Sequence, residues 1–328
     1  MPGSPRVLFI FLDGVGIGPA DAAVNPFLTA RLPILKALLN EQIPVLGQEF
    51  HAHHNHRSST HPPDSPADPP PGAPSDVEAI ALPLDALMGV GGLPQSGTGQ
   101  MALLTGENAA VLYGRHFGPW VPVPLRTLMT ERNILSRVQA RGVPCVFANA
   151  YPSQFIHRAW TKRPAGPPLA AHGAGLLTRT EEELAKGEAI SSEILNTAWR
   201  TRLGLHHLPE ITEEEAGRSL AKITQEAGLT FFAHYSTDTA GHERTLEAAE
   251  NALERVDAFL GGLIPGLPPK TLLVMASDHG NIEDVTQGHT RNPTFCLLRG
   301  PKVRDLATGL TSIMNVPGLI LRYLTGSD

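Results

Sequence analysis

TLLVMASDHGNIEDVTQGHT, residues 271–290, passes in one step from an apolar run to a cluster of acids and histidines. Leu272 to Ala276 are all apolar, a run too short for a helix and soon followed by Gly280, which reads as a buried strand. Asp278 and His279 come at once, then Glu283 and Asp284 and, past Gly288, His289. A strand that ends in an acid and a histidine decides more than its own conformation, because α/β sheets bind ligands beyond the carboxyl ends of their strands.

The same pattern recurs along the chain. RVLFIFLDG (6–14), PCVFANAYP (144–152), LTFFAHYSTD (229–238) and TFCLLRG (294–300) are short, rich in branched or aromatic residues, and bounded by Gly, Pro, Asp or Asn. Between them PLRTLMTERNILSRVQARG (124–142), TEEEAGRSLAKITQEAG (212–228) and ERTLEAAENALERVDAFLGG (243–262) predict helices. The second opens with Thr212 and Glu215 at capping-box spacing, and all three end on glycine. Strand and helix in alternation predict an α/β fold, a mostly parallel sheet with helices on both faces.

One stretch breaks the rhythm. Residues 51–74 carry five histidines and then seven prolines in thirteen positions, with almost nothing apolar, so 51–77 is expected to be a low-complexity, disordered surface insertion. The chain as a whole, 328 residues with 41% apolar and 18% charged content, has the composition of a globular protein. A net charge of −6 supplies no basic footprint for nucleic acid or an anionic membrane, so neither is expected as a partner, and an anionic substrate would need local cations. VLFIFL is too short to span a membrane and runs directly into Asp13 without a cleavage pattern, so the protein is expected to be cytoplasmic. Cys145 and Cys296 belong to no CxxC pair and are expected to be reduced core residues. A monomer is compatible with all of this.

Four strand ends deliver candidate ligands: Asp13, then Asp238 and His242, then Asp278 and His279, with His289 beyond. If the strands are parallel, all of these lie on one edge of the sheet. Mixed carboxylate and imidazole sets suit zinc or manganese, and six protein ligands are too many for one catalytic ion with an open position but enough for two. Two metals about 4 Å apart form the clamp used for in-line phosphoryl displacement. Each residue alone has a plainer reading, since an Asp after a strand often caps a turn and a single His is often structural. A covalent route also needs a nucleophile. In GGLPQSGTGQMALLTGE (91–107) a helix is predicted from about Ser96, whose hydroxyl would sit at an anion-attracting N-terminus and could become a phosphoserine; Thr98 is the alternative.

The ordered set FLDG, LPQSGTGQ, STDTAGH, ASDHGN and GHT resembles the alkaline phosphatase superfamily, in particular its branch of cofactor-independent phosphoglycerate mutase and phosphopentomutase; the C-terminal TSIMNVPGLILRYLTG is similar to the superfamily's closing helix. The resemblance covers roughly a third of the chain in five separated pieces. It implies an alkaline-phosphatase-like fold and two divalent ions, Mn2+ or Zn2+: one held by Asp13, Ser96, Asp278 and His279, with Ser96 as nucleophile, the other by Asp238, His242 and His289. It implies further that residues 1–105 and 228–328 form the catalytic core and that 106–227 are a smaller inserted cap. In the mutases the nucleophile motif ends Gly-His, where this chain has Gly99 and Gln100, so one site histidine is absent. Arg115, His116 and Arg158 are candidate substrate-phosphate clamps by type and aromatic setting. The expected activity is a phosphomutase acting through a phosphoserine on a small phosphorylated sugar or acid. The alternatives are a metal-dependent phosphomonoesterase or phosphodiesterase with the same site, or a metal-binding protein without catalysis.

Overall fold

The computed structural model describes residues 4–48, 77–156 and 162–326. Its centre is a sheet of β1 (Arg6–Leu12), β2 (Glu78–Leu84), β3 (Cys145–Phe147), β4 (Leu229–His234), β5 (Thr271–Ser277) and β6 (Thr294–Gly300), in the order β2-β6-β5-β1-β4-β3. β1 pairs in parallel with β4 and β5, and β3 in parallel with β4. β6 runs against both of its neighbours. The mostly parallel α/β sheet expected from the strand-helix alternation is therefore present, with all five predicted strands in it. The sixth, β2, escaped notice because EAIALPL follows directly on the proline-rich segment and contains Pro83, which a sheet tolerates at an edge such as this.

The central strands read as unbroken apolar runs because both faces of the sheet are covered. Val7, Phe9 and Phe11 of β1 pack with Phe231, Val274 and Cys296 on one face, while Leu8, Ile10 and Leu12 pack with Phe232, Met275 and Leu297 on the other. The helices that matter for the site are α1 (Ser96–Thr105), α2 (Gly166–Gly173), α3 (Glu213–Ile223), α4 (Ser236–Glu243), α5 (Leu246–Leu263) and α6 (Val316–Thr325). Residues of α1, α2 and α6 cover the first face, and residues of α3 and α5 the second. Cys145 and Cys296 are both free and buried.

Local chemistry explains the helix boundaries. At α3 the predicted capping box forms, with Glu215 N donating to Thr212 Oγ1 at 3.2 Å and Thr212 N to the Glu215 carboxylate at 2.8 Å. The helix predicted over 124–142 is instead two, Arg126–Arg132 and Ile134–Gln139, because the Asn133 side chain accepts from Leu135 N and Ser136 N and starts a new helix. Nor does α5 stop at Gly261 and Gly262; it runs through them to Leu263. Gly262 is there for a different reason. A Cβ at that position would collide with the backbone of Glu214, and one at Gly217 with the Phe259 carbonyl, so the paired glycines let α3 and α5 cross with backbones in contact.

The interval 106–227 contributes to the sheet domain itself. It supplies β3, and Ile134, Leu135, Val138 and Leu169 belong to the same apolar cluster as Phe9. A small separate cluster of Ala150, Leu184, Ala189, Trp199 and Leu208 is the part with a core of its own. The insertion expected at 51–77 lies outside the described residues except for Val77, after which β2 begins. Among the described residues no helix is long and apolar enough to cross a membrane.

The two neighbouring glycines of α5 should respond oppositely to alanine. At Gly261 a Cβ would meet only Ile34 side-chain atoms at 3.4 and 3.5 Å, so Gly261→Ala is expected to stabilise by about 0.5–1 kcal/mol through helix propensity. Gly262→Ala is expected to cost about 1–3 kcal/mol through overpacking against α3. Urea unfolding of both variants beside the parent protein measures the difference.

Candidate metal centre

The parallel strands place their carboxyl ends on one edge, and the residues picked out from the sequence meet there. β1 runs into Asp13, β4 into α4 with Asp238 and His242, and β5 into Asp278 and His279, while His289 lies on the connection to β6. Asp13, Asp278 and His279 form one close set of potential ligand atoms, and Asp238, His279 and His289 a second. His279 Nε2 is the common point. It lies 3.3 Å from Asp13 Oδ1, 3.7 Å from Asp278 Oδ2 and 4.0 Å from Asp238 Oδ1. His242 stands at the rim, its side chain 53% exposed and its Nε2 3.3 Å from Asp238 Oδ2.

Close backbone packing makes this convergence possible. Gly14, in a left-handed conformation (φ 67°), follows Asp13 and lies where a Cβ would meet Asp238 Cβ at 2.9 Å. In α1 a Cβ at Gly99 would lie 2.7 Å from the Asp278 carbonyl, so the glycine lets the helix that begins at Ser96 rest against the end of β5. Ser96 is the first residue of that helix rather than its cap, and its Oγ is 2.9 Å from His279 Nε2. Thr98 is differently placed. Its hydroxyl faces the Gln95 and Phe117 carbonyls and accepts from Phe117 N at 3.1 Å, which commits it to holding the 117–120 loop.

The electrostatics of the cluster call for cations. Asp13 and Asp278 are buried, and burial pushes both carboxyls up from the usual carboxylate range, Asp278 far above it. Desolvation alone would lower His279, but the charges of Asp278, Asp13 and Asp238 outweigh it and raise the imidazole to about 10. The single Nε2 proton of His279 cannot satisfy Ser96 and three carboxylates together. Among the described residues Asp13 Oδ1 and Asp278 Oδ2 are in fact buried without a hydrogen-bond partner, a costly condition that a divalent ion would relieve. The donor set thus fits divalent metal.

The surrounding polar groups aim the ligands. Burial, and after it the His279 charge, lowers His289 to about 4, so its imidazole is neutral. Its Nδ1 faces the Pro94 carbonyl at 2.9 Å and must donate there, which leaves the Nε2 lone pair turned toward Asp238 Oδ1, 3.7 Å away. Asn281 Nδ2 donates to Asp238 Oδ1 at 2.7 Å. Glu283 is buried and ties the loop after β1 to both ends of the β5–β6 connection: it accepts from Gly16 N at 2.9 Å, from Asn281 N at 2.7 Å, from Asn292 Nδ2 at 3.1 Å and from the Thr290 hydroxyl. Asp284 closes the following turn through Thr286 and Gln287. The acids noted beside the motif are therefore its staples. Gln100, where a site histidine was missed, donates to Asp13 Oδ2 at 3.2 Å.

Of the suggested substrate clamps, Arg115 and His116 have other partners. Arg115 is exposed over the Tyr113 ring, and His116 turns Nε2 to the Val90 carbonyl at 3.3 Å, so neither hydrogen-bonds to the cluster. Arg158 lies outside the described residues.

Comparison with known proteins agrees with this geometry. The metalloenzyme superfamily model matches residues 206–325. Over 126 residues, 35% of this chain, the sequence is 28% identical to the 2,3-bisphosphoglycerate-independent phosphoglycerate mutase of Aliarcobacter butzleri (strain RM4018). Over 127 residues, again 35% of this chain, it is 33% identical to the enzyme of that name from Symbiobacterium thermophilum. The match spans 25% of the length of each relative. The solved structure of PH0037 protein from Pyrococcus horikoshii shares the fold, with a TM-score of 0.57 at 13% identity, covering 100% of this chain and 99% of that one. Residues 206–325, which bring Asp238, His242, Asp278, His279 and His289 to the sheet edge, are thus a domain of the metalloenzyme superfamily.

Proposed function

We propose that the protein is a two-metal phosphoryl-transfer enzyme working through a phosphoserine at Ser96, and that it is a phosphomutase on a small phosphorylated sugar or acid. The observation that carries the proposal is the Ser96 hydroxyl, set at the N-terminus of α1 and 2.9 Å from His279 Nε2, among three carboxylates two of which have a buried oxygen with no hydrogen-bond partner among the described residues. Asp13, Ser96, Asp278 and His279 would hold one ion and Asp238, His242 and His289 the other, manganese or zinc, and these would supply Lewis acidity for a developing phosphorane charge.

The chain's own residues account for the remaining steps. The Ser96 and Gly97 amides that open α1, and the helix dipole, would favour a phosphate next to Ser96, while the Thr98 amide donates to the Phe117 carbonyl. As the Ser96 Oγ–P bond forms, the P–O bond of the ester breaks, Ser96 gives up its proton and the departing hydroxyl gains one. The reverse exchange, onto a different hydroxyl, restores Ser96 and completes a mutase cycle. Two segments of the 106–227 interval would supply a cover over this side of the site: the 117–121 loop, bonded to Thr98, and the 164–166 segment, joined to it by Val121 N donating to the Pro164 carbonyl at 3.1 Å.

A hydrolase reading has its own support in the half-exposed side chain of His242, through which water has access to the Asp238 side of the cluster. The fate of the phosphoserine separates the two. Phosphorus NMR of the manganese-loaded protein with sugar phosphates, phosphoglycerates and simple phosphate esters is expected to show a phosphate migrating within one substrate. Accumulating inorganic phosphate would instead establish hydrolysis, and no turnover of any ester would remove the enzyme reading.

Two sets of variants test the residue roles. Ser96→Ala should abolish turnover and phosphoenzyme, whereas Thr98→Val should retain the phosphoenzyme while losing about 1 kcal/mol of stability with its backbone bonds; phosphoenzyme trapping and thermal melts read the two. Asp278→Asn and His289→Ala should each lower the bound metal from two equivalents toward one by elemental analysis, and unchanged stoichiometry would count against these ligands.

A further inference from the structure

The residue that stands where the related mutases have histidine makes two hydrogen bonds with opposite ends of one amide. Gln100 lies one turn after Ser96 on α1 and is 1% exposed. Its Nε2 donates to Asp13 Oδ2 at 3.2 Å, and its Oε1 accepts from Gly166 N, the first residue of α2, at 2.8 Å. The Gly166 N–H fixes which way the amide faces, since the flipped amide would set N–H against N–H and a carbonyl against the Asp13 carboxylate. Space at Gly166 is equally constrained: a Cβ there would meet Gln100 Cβ at 2.8 Å and Oε1 at 3.1 Å.

The consequence falls on Asp13. With Oδ2 engaged by Gln100, the oxygen left over is Oδ1, which has no hydrogen-bond partner and lies 3.3 Å from His279 Nε2. We propose that Gln100, held in orientation by Gly166, is a positioning residue that makes Asp13 a one-oxygen metal ligand and ties its aim to the seating of α2. The inference rests on the two-ion reading of the site. Because Ser96 and Gln100 share a helix, the same contact would also position the Ser96 hydroxyl relative to Asp13, and the segment carrying Gly166 would act on the site through Gln100.

Calorimetric titration of metal-stripped protein with MnCl2, with elemental analysis and thermal melts of the stripped forms, tests this. The parent protein is expected to take up two ions. Gln100→Met, which keeps length and helix propensity but has no donor, should hold one ion as the parent does and bind the other about 10- to 100-fold more weakly, with little change in the melting temperature of the stripped protein. Gly166→Ala, which leaves Gln100 in place but crowds it, should weaken the same single ion, and it carries the test alone if Gln100→Met does not fold. Two ions bound as tightly as in the parent by both variants would overturn the role of Gln100 while leaving the two-ion reading intact. Equal weakening of both ions together with a lowered melting temperature would overturn it in favour of simple packing. A parent protein that takes up no manganese would overturn the two-ion reading and this inference with it.

Discussion

Three carboxylates around one imidazole set the terms for the rest of this molecule. Asp13, Asp238 and Asp278 come from three separate strands, and each strand end is held in place by a core that buries β1, β4 and β5 completely or nearly so. Concentrating like charge in a buried site is unfavourable unless cations or protons compensate. Here His279 is the imidazole shared by all three carboxylates, and among the described residues two carboxylate oxygens are left without a hydrogen-bond partner. The fold stability gained from the apolar layers on both faces offsets that local cost, and binding of divalent ions would turn the cost into a gain by mass action.

The supporting residues divide into those that bring backbones close and those that aim side chains. Gly14 and Gly99 belong to the first group, since a side chain at either would occupy the space of Asp238 or of the Asp278 backbone. Glu283, Asn281, Gln100 and the Pro94 carbonyl belong to the second. Glu283 is a buried acid that owes its place to four donors, and its role is to join the loop after β1 to the loops on either side of His289. A site with this many fixed partners is organised before any ion or substrate arrives.

What could be read from the sequence followed from what sequence periodicity reports. β1, β4 and β5 are legible because fully covered strands are apolar throughout, and their terminal acids and histidines stand out against that background. β2 was not legible, because its half-buried residues and Pro83 look like the end of the proline-rich segment. The break at Asn133 was missed since the apolar spacing continues through it, and only the side chain's capping bonds reveal a new start. Gly262 looked like a stop signal, and its meaning depends on a second helix that no local pattern encodes. For the site, residue types gave Asp13, Asp238, Asp278, His279 and His289, but Gln100 and Glu283 act through partners far away in the chain and carry no recognisable spacing. The division of 106–227 between the sheet domain and a satellite cluster likewise depends on pairings that a linear reading does not contain.

The reversal of β6 has a consequence for how the centre is assembled during folding. Because β6 returns beside β5, Asp278, His279 and His289 all sit on one hairpin-like connection, and no helical crossover separates them. Contacts of short sequence separation form early and at little loop-closure cost, whereas Asp13 and Asp238 join only when distant strands have paired. Asp278, His279 and His289, three of the candidate ligands, would therefore form a local unit ahead of the complete sheet, and a cation captured by it would act as a template on which the ends of β1 and β4 are gathered.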